Sequence, residues 1–307
     1  MTRRNWIMVL ATAAVWGSSY MFIKLALDDF SPGGVVVIRT ALGAVLLLSI
    51  AHATGALGAL RGRLRWIGVL AVLQVAAPFL LISYGERHIS SSLTAILISV
   101  VPIYTTLLAM RFDDAERARG WGLLGIVTGI AGVVLLFGVD LSGDADELLG
   151  GGMMLLAALC YAISWLLAKH KAAGIPPVAT SGAVMLVATV LTSPVLAATA
   201  PGHAPSLKSV AALLALGAGG TGIAFILYYT LIAEVGPGRA SVVGYVAPAF
   251  SVFYGVVFLS ESLSVGSIGG LALILVGSWL GAEGRPPRRL RRIGPSRSSA
   301  PAPVRAR

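Results

Sequence analysis

Ten apolar runs divide the chain, at 5–25, 33–52, 65–85, 90–110, 120–139, 149–168, 177–198, 207–232, 239–259 and 265–282. Each is close to the roughly 20 residues that carry a helix across a bilayer. The runs lack the apolar–polar alternation of a barrel strand, and a chain in lipid has to satisfy its backbone internally. They therefore predict ten transmembrane α-helices, an all-α polytopic membrane protein.

Composition narrows the class. Of 307 residues, 57% are hydrophobic and 12% charged, where a soluble domain has about 25% charged. Mean hydropathy is +0.87. A water-soluble globule of this size cannot hide that much apolar surface. The same figures exclude a disordered chain, a coiled coil and a disulfide scaffold. The single cysteine, Cys160, lies in an apolar run and carries no information about redox compartment.

A net charge of +10 would suit nucleic acid, but its placement points to the membrane. With the N-terminus in the cytoplasm, 19 of the 23 basic residues fall on the inner side, eight of them in the tail. Only Lys24, Arg39, Arg87 and Lys208 fall on the outer side, and the outer stretch with Asp140, Asp144, Asp146 and Glu147 has no basic residue. This predicts a multi-pass inner or plasma membrane protein with both termini cytoplasmic. Arg3 and Arg4 before an apolar run suggest a signal peptide, yet the run is too long for one and nine more follow, so it reads as an uncleaved first helix. Residues 283–307 are mostly Arg, Pro, Ser and Ala and predict a disordered cytoplasmic tail that enforces topology. Binding of that tail to anionic lipid is the sharper alternative.

The two halves echo each other at a shift of 145–146 residues. The segment Trp16-Gly-Ser-Ser-Tyr-Met-Phe-Ile-Lys24 lies over Tyr161-Ala-Ile-Ser-Trp-Leu-Leu-Ala-Lys169. Pro32 lies over Pro177, Pro102 over Pro248, Gly125 over Gly270 and Gly132 over Gly277. Each half has five spans. Five is odd, so the second half enters from the opposite side, and the repeats at 1–139 and 140–282 are inverted. In carriers of that design the solute site lies at the repeat interface near the midplane.

These residues resemble the EamA-type branch of the drug/metabolite transporter superfamily over roughly residues 5–282. The resemblance rests on Trp16, Gly17, Ser18 and Lys24 in the first span, Pro32 and Arg39 in the second, the matched prolines Pro102 and Pro248, and the duplicated ten-helix layout. It implies a solute carrier, often an exporter of amino acids or other small metabolites, with a central cavity mainly between spans 1, 3, 4, 6, 8 and 9. Arg39 departs from the duplication, because its counterpart is Val184, so any cation site is asymmetric.

Two segments fit G-x-G-x-x-G, Gly120–Gly125 and Gly217–Gly222, but both lie in transmembrane runs and not in a strand-to-helix turn. They predict close helix packing, as do the Gly125/Gly129 and Gly277/Gly281 pairs. Packing inside the bundle is the expected use, and a homodimer is the alternative. His52, His88, His170 and His203 are far apart at span ends or in loops, and metal, nucleophile and P-loop signatures are absent from the sequence. No metal or cofactor is expected, and no enzymatic activity.

The aromatic residues carry more. Trp6, Trp66, Trp121 and Trp279 lie at span ends, the usual belt. Trp16 and Trp165 lie deep. Trp16, Tyr20 and Lys24 recur every four residues on one face, as do Tyr161 and Trp165. Thr221, Phe225, Tyr228 and Tyr229 in span eight, and Ser241 and Tyr245 in span nine, add polar-tipped groups. Such a face is costly against lipid and natural around a cavity; the competing explanation is helix packing. The predicted solute-binding residues are Trp16, Tyr20, Gln74, Ser99, Tyr161, Trp165, Thr221, Tyr228 and Tyr245. Pro102 and Pro248 are the predicted hinges. Lys24 and Arg39 are placed near the outer face, as snorkelling groups or partners of Asp28 and Asp29, or as an electrostatic guide for a carboxylate. Glu86, Glu234 and Glu261 fall at span ends, so a midplane carboxylate to carry protons is missing.

The predicted function is alternating-access export of a small neutral or zwitterionic, amino-acid-like metabolite. The rivals are an exporter of lipophilic cations and a membrane-embedded enzyme acting on lipid. The expected partners are the solute and the lipid bilayer, with no nucleic acid.

Overall fold

The computed structural model describes residues 1–112, 121–139, 144–172, 174–198 and 204–283. The tail from residue 284, Asp140 and the repeat junction beside it, Arg117, Arg119, Gly120 and His203 lie outside these residues. Ten apolar helices fill the described residues. They are α1 (Arg3–Ala26), α2 (Pro32–Ala53), α3 (Leu64–Gly85), α4 (Ser91–Arg111), α5 (Trp121–Val139), α6 (Ala145–Lys171), α7 (Pro177–Ala198), α8 (Leu207–Val235), α9 (Val242–Leu259) and α10 (Val265–Glu283).

Helix ends follow local chemistry. Ser31, Ser90 and Ser206 cap α2, α4 and α8 by accepting from the amides of Gly34, Leu93 and Ser209. Pro32 occupies the first turn of α2, where a missing N–H costs nothing. Asp144 caps α6, which therefore starts four residues ahead of its apolar run.

The inverted duplication is visible in the packing. The most extensive interfaces join equivalent helices of the two halves, α5 with α10 and α2 with α7. Likewise α1 packs on α9 as α6 packs on α4. Glycines set the closest approaches. A Cβ on Gly277 would lie 2.5 Å from the Gly129 nitrogen and 2.6 Å from the Gly125 carbonyl oxygen, so α5 and α10 touch backbone to backbone. Gly17 similarly seats α1 on α9, where a Cβ would meet the Ala247 carbonyl at 2.6 Å. Gly217 and Gly222 of α8 receive Leu42 and Leu46 of α2. Gly129, Gly217, Gly222 and Gly277 thus pack against other helices of the same chain.

Two irregularities could not be read from hydropathy. Residues Ala71–Ala76 of α3 and Ala215–Ile223 of α8 wind as π-helix. The 145-residue shift lays the first on 216–221 of the second, so both repeats carry the same distortion. Such segments are rare and cluster at functional sites. The matched prolines, by contrast, behave differently. Regular α-helix in α4 stops at Ile98 and resumes at Val101, just before Pro102. The Ser99 carbonyl left over at that break accepts from Ser278 Oγ of α10 at 3.1 Å. Pro248 lies inside the unbroken helix α9, and the irregular turn on that side falls at Ser241.

Candidate functional site

A central cluster forms around Arg39. Seven residues into α2, its Cα lies about 10 Å along the helix from Pro32, at 1.5 Å per residue. Arg39 is only 8% exposed. Its Nε donates to Thr221 Oγ1 at 3.0 Å, and the guanidinium carbon sits 3.8 Å from the ring centroid of Phe79 in α3. The reading of Arg39 as a snorkelling group is therefore overturned. A delocalised guanidinium is weakly hydrated and lies flat on an aromatic face, which is why this cation tolerates burial.

Thr221 is fully buried and donates to the Leu216 carbonyl, five residues back, at 3.2 Å. The π register of α8 separates them by one turn, and the hydroxyl oxygen is left facing α2. Gly43 of α2 admits it, since a Cβ there would meet Thr221 Cγ2 at 2.7 Å. Tyr20 of α1 and Tyr161 of α6 stand within electrostatic reach of Arg39. Five helices (α1, α2, α3, α6 and α8) thus supply one site of a cation, a ring and three hydroxyls.

An aromatic layer adjoins it. The Trp16 ring lies 4.8 Å from that of Tyr228 and 6.0 Å from that of Phe225. Phe225 and Tyr228 pack in turn on Tyr229, at 5.7 Å and 6.3 Å. The Tyr229 hydroxyl is hydrogen-bonded to Ser181 Oγ of α7.

The other predicted residues take different places. Gln74 is half-buried on the π segment of α3. Trp165 is 49% exposed and stands off the packed core. Tyr245 turns to α10, its hydroxyl donating to the Ser278 carbonyl at 3.4 Å. Ser99 donates within its own helix to the Ala95 carbonyl at 2.8 Å, and its carbonyl takes Ser278. Tyr245 and Ser99 thus both hydrogen-bond with Ser278 of α10. Phe79 went unrecognised because a phenylalanine in an apolar run carries no signal by itself.

At one end of the bundle α1 is fastened to its neighbours. Lys24 Nζ donates to the backbone carbonyls of Glu86 and Ile89. Ser209 Oγ donates to the Leu25 carbonyl at 3.0 Å, and Lys208 pairs with Asp28 at 3.0 Å. Asp29 accepts from the Ser206 amide at 2.9 Å. Asp28 and Asp29 thus bridge to α8, and Lys24 is committed to carbonyls at the end of α3. Near these contacts in sequence, Ile23, Ala26, Val35, Ile82, Ile89, Leu93 and Leu97 form part of one buried apolar cluster, an apolar plug.

Glu86, one residue past α3, is the larger surprise. It is 0% exposed, and neither carboxylate oxygen has a hydrogen-bond partner among the described residues. Burial pushes its carboxyl well above the usual range; Lys24 opposes this, Glu261 adds to it and Arg39 opposes it weakly. Glu261, by contrast, is well held. It accepts from the Ser91 and Ser92 amides at 2.7 Å and 3.0 Å and from Ser92 Oγ at 2.6 Å, at the N-terminus of α4.

Among the described residues no group of three His, Cys, Asp or Glu side chains is placed to hold a metal. The site offers binding chemistry: a buried cation, ring faces and hydroxyls.

Comparison with known proteins places the chain in a family. The chain is 24% identical over 280 residues to the uncharacterized transporter YoaV of Bacillus subtilis, covering 89% of this chain and 94% of that one. It is 27% identical over 262 residues to the inner membrane transporter YedA of Escherichia coli K12, covering 83% of each. A protein of Streptantibioticus cattleyicolor named probable terminal-alkyne amino-acid exporter is 25% identical, with 92% of each chain covered. A solved crystal structure shares the fold at a TM-score of 0.65 and 19% identity, over 92% of this chain and 98% of the other. The profile of the EamA-like transporter family matches twice, at residues 4–138 and 148–281, once in each half. This chain, a multi-pass membrane protein of two repeats, belongs to the EamA-like transporter family.

Proposed function

We propose that the protein exports a small neutral or zwitterionic, amino-acid-like metabolite by alternating access between its two halves. The observation that carries this reading is the buried Arg39 guanidinium beside Tyr20, Tyr161 and Thr221, next to the ring layer of Trp16, Phe225 and Tyr228. The cation suits a carboxylate through paired hydrogen bonds, and the rings suit an apolar side chain. The exporter relative from Streptantibioticus, whose name specifies an amino acid, supports the same class. The excess of basic residues on the side of the termini supports a cytoplasmic position for both, with the Lys24 end facing out.

Aromatic rings also attract lipophilic cations, but a buried Arg39 in the same cluster repels them. The test is uptake into inside-out vesicles of labelled neutral amino acids, with a quaternary ammonium dye in parallel. Saturable amino-acid uptake that Arg39→Gln abolishes supports the reading. Uptake of the dye alone supports the cation exporter, and uptake of neither by folded protein refutes both.

A further inference from the structure

Glu86 has no part in the solute site just described, yet it is fully buried with neither carboxylate oxygen hydrogen-bonded among the described residues. A carboxylate buried without donors is disfavoured by several kcal/mol relative to water, and a neutral carboxyl by much less. The neighbouring ammonium relieves it only in part, because Lys24 attracts the carboxylate but gives its hydrogen bonds to the carbonyls of Glu86 and Ile89. The Glu86 carbonyl caps the end of α3, where a cation is favoured by the helix dipole, and the Ile89 carbonyl lies in the link to α4. The charged and titratable groups around Glu86 come from every side: Lys24 and Tyr20 on α1, Arg39 on α2, Glu261 after α9, and Tyr161 on α6, which is coupled to Arg39. Next in sequence is the exposed Arg87, and His88, two residues on, pairs with Asp146 of α6 at 3.8 Å. Glu261 is a second anion and is already saturated with donors from α4. The one other buried side-chain oxygen without a partner among the described residues is Ser91 Oγ, at the start of the same plug.

We propose that Glu86 is a proton-binding site, neutral while the Lys24 end of the bundle is closed, and that its ionisation is coupled to opening of that end. When the plug parts, water reaches the carboxyl, the O–H bond breaks, and the proton passes to water as hydronium while the carboxylate becomes hydrated. The proton-binding half of this inference stands without transport; the coupling half rests on the alternating-access reading. The sign follows from linkage. A carboxyl titrating at a higher pH in the closed state than in the open one stabilises closure most below its hydrated value of about 4.3. That stabilisation is lost as pH rises towards the closed-state value. One linked proton changes the open-to-closed ratio by at most about tenfold per pH unit.

Two measurements test this on the full-length protein in liposomes, with no solute added. In the first, infrared spectroscopy follows the carbonyl stretch of a protonated carboxylic acid in apolar surroundings. The band is expected in the unmodified protein at neutral pH, absent in Glu86→Gln, displaced in Glu86→Asp and retained in Glu261→Gln. No band in the unmodified protein, or an unchanged band in both Glu86 variants, overturns the site. In the second, Cys160→Ser with Leu93→Cys places a reporter in the plug. Its labelling by an impermeant maleimide is divided by that of Arg87→Cys, an exposed position at the same end, which removes the intrinsic pH dependence of the thiol. The ratio is expected to rise up to tenfold per pH unit and to stay low and flat with Glu86→Gln. The same slope in both proteins, or none in either, overturns the coupling. A titrating band and labelling slope without flux of any solute would refute the carrier reading alone.

Discussion

Replacing Gly277 by alanine adds one methyl group to the seam between α5 and α10. That Cβ would lie 2.5 Å from the Gly129 nitrogen, 2.6 Å from the Gly125 carbonyl oxygen and 2.7 Å from the Gly129 Cα, where ordinary contact begins at 3.4 Å. All three are backbone atoms, so no rotamer change relieves the overlap and the helices have to part by about 1 Å. A gap of that size forfeits a quarter to a half of each ~0.1–0.2 kcal/mol atomic contact. Over a few tens of contacts the loss is about 1–3 kcal/mol, the range found for overpacked cores. Gly138→Ala, at the end of α5, is the control, because nothing lies within 4 Å of its Cβ. There the better helix propensity of alanine makes the change neutral, or favourable by up to about 1 kcal/mol. At about 2 °C per kcal/mol for a chain of this length, Gly277→Ala is expected to melt roughly 2–8 °C below Gly138→Ala. The assay is thermal unfolding in detergent followed by tryptophan fluorescence. Equal melting temperatures would refute the argument that this seam depends on backbone contact.

Thr221→Val conserves shape but removes the acceptor of Arg39 Nε. A buried charged donor is left unmet, so the protein is expected to lose about 1–3 kcal/mol and the vesicle assay to show a raised KM for amino acids with less change in maximal rate. Trp16→Leu opens the ring layer beside Phe225 and Tyr228; uptake of aromatic and large apolar amino acids is expected to weaken more than that of alanine, measured by competition. Glu261→Gln removes the anion from the N-terminus of α4. A cost of about 1–2 kcal/mol is expected, visible as faster hydrogen exchange at the Ser91 and Ser92 amides, and unchanged exchange there would refute the anchoring role.

The sequence misplaced particular residues for identifiable reasons. Arg39 near a helix start looked like a surface cation, because linear distance from the span end does not reveal a ring on another helix. Phe79 supplies that ring, and the two meet only because α2 and α3 pack. Tyr245 and Ser99 looked like solute-binding groups on the strength of their polarity, and both reach the same residue, Ser278 of α10. Glu86 was placed at a span end, and its complete burial is decided by the helices that pack around it. The π segments in α3 and α8 leave no mark on hydropathy, since they change hydrogen-bond register and not residue type.

Span number, helix ends and duplication were all legible in one dimension. Lipid obliges each crossing segment to satisfy its own backbone, so apolar length alone specifies a helix, and serine or aspartate caps mark where it starts. Which face of each helix turns inward was decided only by packing. In water an amphipathic stripe announces the core, but here lipid is as apolar as the interior, so the two faces of a span read alike. Only contacts between helices distant in sequence, such as Arg39 with Thr221 and Lys24 with the end of α3, gather the groups that bind.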